Sequence, residues 1–327
     1  MDIKKLKADP ELQAMIKRVT DLRDSNDPGK AKRFSDIIDD AGYQYVDLVM
    51  EGGGMLGIAL VGYTYVLEQA GIRFLGLGGT SAGSINALLL AALGPPAQAK
   101  GEMLLQELGN KNFYDFVDGD SDARDLIESW IDGDGPVRLG FKAIQVIDNI
   151  KNDLGLNPGK AFRDWIGAIL RREGIRSKAD LQTRLDTVPK GLRLRSGDAL
   201  DTPAKAKAKL AIIAADVSTE TKVEFPKMAA LYWKDPEQAD PADFVRASMS
   251  IPFFFHPMRV DLKKLPRTPE LRELWENEAG YQYDEEKGLP AEAIFIDGGI
   301  MSIFPIDVFL DPNCVPDAPT FGAKLEL

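Results

Sequence analysis

Four runs decide the architecture of this chain: Tyr45-Val46-Asp47-Leu48-Val49-Met50, Gly52-Gly53-Gly54-Met55-Leu56-Gly57, Phe74-Leu75-Gly76-Leu77, and Gly78-Gly79-Thr80-Ser81-Ala82-Gly83. The first is apolar at all but one position and reads as a buried strand. The glycine loop leads into a helix over Ile58 to Ala70, the third run is a second strand, and the last turn opens a long apolar helix from Ser84 to about Leu93. Strand, loop, helix, strand, turn, helix in this order predicts an α/β fold with a mostly parallel sheet covered on both faces.

Outward from this segment, Lys209 to Val217 is nearly continuous in apolar character, as a strand buried on both faces should be. Ala293 to Ile296 is another such strand and ends at Asp297. Between about 101 and 200 the pattern is helical: Trp130, Phe141, Ile144, Val146 and Ile147, then Phe162, Trp165, Ile166, Ile169 and Leu170, fall at helix-like spacing and read as core. Leu12 to Asp40 reads as partly amphipathic helix, broken at Asp27-Pro28-Gly29 and outside the sheet. Pro226 to Pro290 is less regular, and Thr320 to Leu325 looks like the start of a further strand. The expected organisation is a helical appendage over 1–44 and one large domain over 45–327 with a helical insertion at about 101–200.

Composition narrows the classes. With 327 residues and 44% hydrophobic content the chain can bury a large core, so a globular, soluble protein is expected. The charged N-terminus, Met1-Asp2-Ile3-Lys4-Lys5-Leu6-Lys7, lacks the apolar stretch of a secretory signal. No window approaches the roughly 20 apolar residues needed to span a bilayer, so membrane contact is expected to be peripheral. The single cysteine, Cys314, reads as an incidental thiol and fits a reducing, cytoplasmic compartment. A net charge of −11 argues against nucleic acid as a partner. Lys190, Arg193, Arg195, Lys205, Lys207 and Lys209 lie close together, diluted by Asp198 and Asp201, and read as a solvated face sooner than as a headgroup site.

Gly79-Thr80-Ser81-Ala82-Gly83 is a G-x-S-x-G between a predicted strand and a predicted helix, the context in which a nucleophilic serine is presented on a sharp turn. A glycine-rich turn with a helix-capping serine fits the same residues. The loop Gly52 to Gly57 also satisfies G-x-G-x-x-G, but the second strand runs into Gly78 with no acid to hold a ribose, which disfavours a dinucleotide. Its unencumbered amides suit an oxyanion hole instead. A serine also needs a proton acceptor. The one histidine, His256, lies between an aromatic run and a proline, whereas Asp297 ends an apolar strand and precedes Gly298-Gly299, at the sheet edge expected for Ser81.

Gly52-Gly53-Gly54-x-x-Gly57, Gly79-x-Ser81-x-Gly83 and Asp297-Gly298-Gly299, in this order, resemble the patatin-like phospholipase family over about Tyr45 to Leu310. Arg246-Ala247-Ser248-Met249-Ser250-Ile251-Pro252 and Phe304-Pro305-Ile306 look like further landmarks of that family. The resemblance implies a three-layer α/β/α fold and hydrolysis of fatty acyl esters in phospholipids or related lipids, with no metal or other cofactor. It implies that Ser81 attacks the ester, Asp297 takes its proton, and amides around Gly52, Gly53 and Gly54 hold the oxyanion in a covalent acyl-enzyme route. Two positions depart from the family pattern: Leu56 stands where a basic residue is usual, and Ile303 where an asparagine is common. They motivate a rival reading, a non-catalytic lipid-binding or regulatory protein on the same fold; a second rival is a carboxylesterase with a Ser-His-Asp triad through His256.

Asp118, Asp120 and Asp122 alternate like calcium ligands, but Ala123 and Ser129 replace the required Gly and Glu, so they read as a helix-capping loop. Phe253, Phe254 and Phe255 with Met249, Met258, Tyr232 and Trp233 are candidates to line an acyl cavity or touch a membrane, with core packing as the alternative.

Overall fold

The structure, a computed structural model, describes residues 3–25, 33–119, 154–198, 200, 207–282, 288–310, 313, 316 and 318–325. Trp130, Phe141, Ile144, Val146, Ile147, Asp27-Pro28-Gly29, Asp120, Asp122, Ala123, Ser129, Asp201, Lys205 and Cys314, read above, lie outside the described residues.

Among the described residues one mixed sheet has nine strands. These are β1 (Ile37–Ile38), β2 (Gln44–Met50), β3 (Ile72–Thr80), β5 (Arg193–Leu194), β6 (Lys209–Asp216), β7 (Thr221–Phe225), β9 (Met258–Asp261), β10 (Glu292–Asp297) and β11 (Thr320–Ala323). β4 (Gly155–Asn157) and β8 (Phe253–Phe255) form a separate parallel pair. β11, β2, β3 and β6 run parallel, and β5 and β9 point the same way through two antiparallel steps each; β1, β7 and β10 are reversed.

The register around β6 places the end of β10. β3 pairs with β6 only as far as Thr80 opposite Ile213, while β6 continues to Asp216. β7 pairs along Ile212 to Asp216 and β10 along Ala214 to Asp216. A strand has two edges, so β7 occupies one and β10 must share the other with β3. β10 therefore descends, antiparallel, in the lane that β3 leaves after Thr80, and its last residue, Asp297 opposite Ala214, arrives one step above Thr80. The expected meeting of Asp297 and Ser81 thus comes from two strands pointing at each other end to end, with the upper strand reversed.

β2 and β3 are buried along their whole length, so both sheet faces are covered. On one face Val46, Leu48, Met50, Phe74 and Leu77 join the main core, which also takes apolar residues of α3 (Gly57–Gln69), α4 (Ala82–Ala92), α5 (Gly101–Gly109), α6 (Lys160–Arg172), α7 (Lys178–Leu185) and α8 (Pro241–Ser248). On the other face a smaller cluster joins Ile37, Tyr45, Leu75 and Ala318, and Val308 and Phe309 lie over Gly78. Phe162, Ile166, Ile169 and Leu170 are buried on α6, as their spacing predicted. The irregular region holds two helices, α8 and α9 (Pro269–Ala279), each with proline at its start and a side-chain cap, Asp240 or Thr268. Trp275 of α9 is fully buried edge-on against Tyr232, at 5.2 Å.

At the N-terminus α1 (Ile3–Lys7) is followed by α2 (Pro10–Arg23), capped by Asp9. Leu12 joins the main core, and Arg23 Nη1 donates to the Ala70 carbonyl at 2.7 Å, which ties α2 to the end of α3. The helical reading of Leu12 to Asp40 needs one correction. Ile37–Ile38 pairs with β2 and belongs to the sheet, because Asp39 Oδ1 accepts from the N–H groups of Ala41 and Tyr43 and Gly42 takes φ 81°, making a turn in place of a helix. Of the basic cluster, Arg193 pairs with Asp40, Arg195 lies near Asp36 and Lys207 pairs with Asp186.

One close approach fixes α4 on the sheet: a Cβ at Gly83 would lie 2.2 Å from the Met50 carbonyl oxygen. Gly83→Ala must push backbone from backbone and is expected to destabilise the fold by about 1–3 kcal/mol or more, read as a lower denaturant midpoint.

Candidate active site

Ser81 sits between β3 and α4 with φ 52° and ψ −122°, a strained backbone for a residue with a Cβ. The flanking glycines have a steric reason. A Cβ at Gly79 would lie 2.4 Å from the carbonyl carbon and oxygen of Gly83, so the turn closes only if both positions lack side chains. The Ser81 carbonyl accepts from the N–H and the hydroxyl of Ser84, and the α4 N-terminus favours negative charge forming beside Ser81.

A residue missed in the sequence holds this turn. Ser248, the last residue of α8, accepts the Ser81 N–H at 2.9 Å through its Oγ and donates that hydroxyl to the Ile213 carbonyl at 2.6 Å. The Ser248 and Ser250 carbonyls accept from the N–H groups of Gly298 and Asp297. The segment 246–252 stood out as a landmark, yet nothing in its residue types revealed this bridging role. Arg246 anchors it from behind: its guanidinium donates to Ser250 Oγ and to the carbonyls of Pro158 and His256. Burial pushes that guanidinium down to about 10.

Asp297 is buried; its Oδ1 accepts from the Gly299 N–H at 2.8 Å, and its Oδ2 has no hydrogen bond. Burial raises its pKa above the ordinary aspartate value, opposed by the nearby Ser81 hydroxyl and the Gly299 N–H. The serine is near enough to favour the carboxylate without completing a hydrogen bond to Oδ2; its Oγ points at Met249 Sδ, 3.5 Å away. Gly298 packs on the Ile213 carbonyl, 2.2 Å from where its Cβ would be, so no side chain fits there. The imidazole of His256 makes no hydrogen bond to Ser81 or Asp297; its backbone is held by Asn157 and Arg246.

The glycine loop faces Ser81, and a Cβ at Gly52 would lie 3.1 Å from the Ser81 Cβ. Gly52 needs a correction as an amide donor: its N–H already donates to the Ile303 carbonyl at 2.9 Å. Among the described residues the N–H groups of Gly53 and Gly54 have no acceptor, nor has that of Ala82, which follows Ser81. Gly54 sits at φ 54°, and a Cβ on Gly57 would lie 2.6 Å from that of Ala82. Leu325 covers Gly53 from outside, with its N–H donated to Glu51 Oε2.

A cavity of about 320 Å³ opens beside this loop. Gly54, Gly57 and Ala82 bring it up to the serine, and Ile85, Leu108, Phe113, Phe116, Phe162, Met249, Ile251, Phe254 and Phe255 make most of its wall. Met249, Phe254 and Phe255 were among the candidates for this role; Tyr232 is core, Trp233 and Met258 pack against the core, and Phe253 is exposed. Asp118 accepts from the N–H groups of Gly159 and Ala161 at the start of α6, a capping role as expected. Among the described residues no group of three or more His, Cys, Asp or Glu converges so as to hold a metal ion.

The model of the patatin-like phospholipase family matches residues 48–310, which span all three glycine-bearing motifs and most of the chain. The chain belongs to the patatin-like phospholipase family. Members are generally lipid acyl hydrolases. This patatin-like protein is also similar to the uncharacterized protein YqhO of Bacillus subtilis (strain 168), with 29% identity over 267 residues, 81% of this chain and 67% of that protein.

Two outcomes test the arrangement. Ser248→Ala leaves the buried Ser81 N–H without an acceptor, worth about 1–3 kcal/mol, and is expected to lower both the thermal midpoint and the rate of Ser81 acylation; Ser248→Thr, which keeps the hydroxyl, should retain most of both. Burial makes the Asp297 carboxylate costlier in the fold than in the unfolded chain, so the stability contributed by its proton is lost as pH rises through the raised pKa. Asp297→Asn, which carries no charge, is therefore expected to unfold at a higher temperature than the unaltered chain at neutral pH, with the gap closing in acid.

Proposed function

We propose that this patatin-like protein is a lipid acyl hydrolase, of phospholipase A type, that works through a Ser81–Asp297 dyad. The observation that carries the reading is the buried, unpartnered Oδ2 of Asp297 beside a serine on a strained turn, at the mouth of an apolar cavity. An orphaned buried acceptor is costly, and a rotation of the Ser81 hydroxyl away from Met249 would satisfy it.

In this reading the Asp297 carboxylate takes the hydroxyl proton while Ser81 Oγ bonds to the ester carbonyl carbon. The oxyanion is met by the amides of Gly53, Gly54 and Ala82, together with the α4 N-terminus. Collapse breaks the ester bond, and the leaving alcohol takes the proton back from Asp297. Water, losing a proton to Asp297, then attacks the acyl-serine, and breakage of the acyl–Oγ bond returns that proton to Ser81.

The same reading takes the architecture as three-layer α/β/α, supported by burial of β2 and β3 on both faces. It takes residues 45–327 as the catalytic domain with the helical insertion at about 101–200, and extends that unit back to include β1. A cytoplasmic location fits the single cysteine. No helix among the described residues is long and apolar enough to cross a membrane, so the lipid would be met from outside the bilayer.

The reading is tested by fluorophosphonate labelling and by hydrolysis of acyl esters. Ser81→Ala is expected to abolish labelling, and Asp297→Asn to lower turnover by about three orders of magnitude or more. His256→Ala should retain most of it, whereas a Ser-His-Asp esterase would lose as much as from loss of the aspartate. A folded chain whose Ser81 resists the probe would favour the lipid-binding alternative. The rate should also fall as acid protonates Asp297, with the limb above the ordinary aspartate range because burial raises that group.

A further inference from the structure

Two segments that line the cavity, 52–67 and 247–258, carry no Asp, Glu, Lys or Arg, and neither does 298–306, whose Ile303 carbonyl holds the Gly52 N–H of the glycine loop. In a chain with 28% charged residues this is a marked depletion. Each segment leaves large apolar side chains in water close to the site. Leu56 and Ile58 follow the glycine loop, Phe253 precedes two cavity-lining phenylalanines, and Ile300, Met301 and Ile303 follow Asp297-Gly298-Gly299. Phe253 is 67% exposed and Ile300 60%. Scattered single apolar residues need no explanation, but a set carried on segments that line or adjoin one cavity does.

Phe253 adds an independent observation. Its φ is 66°, a backbone conformation costly for a bulky side chain. The backbone is held by the pairing with Gly155, but the side chain gains no burial in return among the described residues.

We propose that this uncharged rim is a docking face for a lipid surface, and that it binds by apolar insertion without need of anionic headgroups. Lipid is favoured over a protein because these residues lie on segments that line or adjoin an apolar cavity beside Ser81, so a docked bilayer would offer acyl chains where the cavity can take them. The charge of −11 on the whole chain opposes an anionic surface; the three segments supply no Lys or Arg to offset it, and Lys111, over the cavity-lining Phe116, is already paired with Asp115. The proposal rests on the reading of the cavity as an acyl site.

The test is flotation of the full chain with vesicles of phosphatidylcholine alone and with phosphatidylglycerol added, at low and high salt. The chain is expected to float with phosphatidylcholine alone, with partition insensitive to salt. Phe253→Asn combined with Ile300→Ser and Met301→Ser should lose at least about tenfold in partition, since 1.4 kcal/mol of lost apolar transfer is already tenfold. Asparagine tolerates the positive φ, and Ile300→Ser alone, a surface change, should act in the same direction with a smaller effect. Fluorophosphonate labelling of Ser81 without lipid should be unchanged in both variants. The proposal is overturned if the variants float as well as the unaltered chain, if flotation requires phosphatidylglycerol and disappears with salt, or if the face proves to be buried in a self-association that the variants dissolve. A chain that floats but is never labelled would sink the hydrolase reading and leave the docking face standing.

Discussion

The Ser248 hydroxyl is the contact on which the site depends. It takes the N–H of Ser81 and gives its own proton to Ile213 on β6, so a strained turn at the end of β3 is bonded to the neighbouring strand through the end of α8. The same short segment accepts the N–H groups of Asp297 and Gly298 through its carbonyls. One segment therefore sets the positions of Ser81 and Asp297 together. Arg246 holds it in turn by donating to three acceptors, and a buried guanidinium is tolerated there because all of those hydrogen bonds are made.

Much of this was legible from residue order alone. Gly79 and Gly83 announce a turn in which backbone touches backbone, and the strand patterns placed Ser81 and Asp297 at strand ends. What could not be read was direction. An apolar run says that a strand is buried and says nothing about which way it points, so the reversal of β10 emerges only from register. Hydrogen-bond competition was equally hidden. Gly52, Gly53 and Gly54 are identical in sequence, yet the Ile303 carbonyl takes the amide of Gly52 and leaves the next two open. The helices α8 and α9 were obscured by the prolines that start them, although Asp240-Pro241 and Thr268-Pro269 are recognisable starts.

The two departures from the family pattern acquire a physical setting. Leu56 and Ile303 are both exposed beside the glycine loop, and the Ile303 backbone contributes the carbonyl that occupies Gly52. A side-chain change at Ile303 leaves that backbone contact available, so the loop is held by main chain, independent of the residue type.

The end-to-end meeting of β3 and β10 also has a temporal consequence. Asp297 follows Ser81 by 216 positions, so a ribosome delivers the segment bearing the serine well before the aspartate. Until Asp297 arrives above Thr80, the Ser81 hydroxyl lacks the carboxylate beside it. On the dyad proposed above, a chain cut short before β10 would hold a serine without its base, so the order of translation would delay hydrolysis until the sheet is closed.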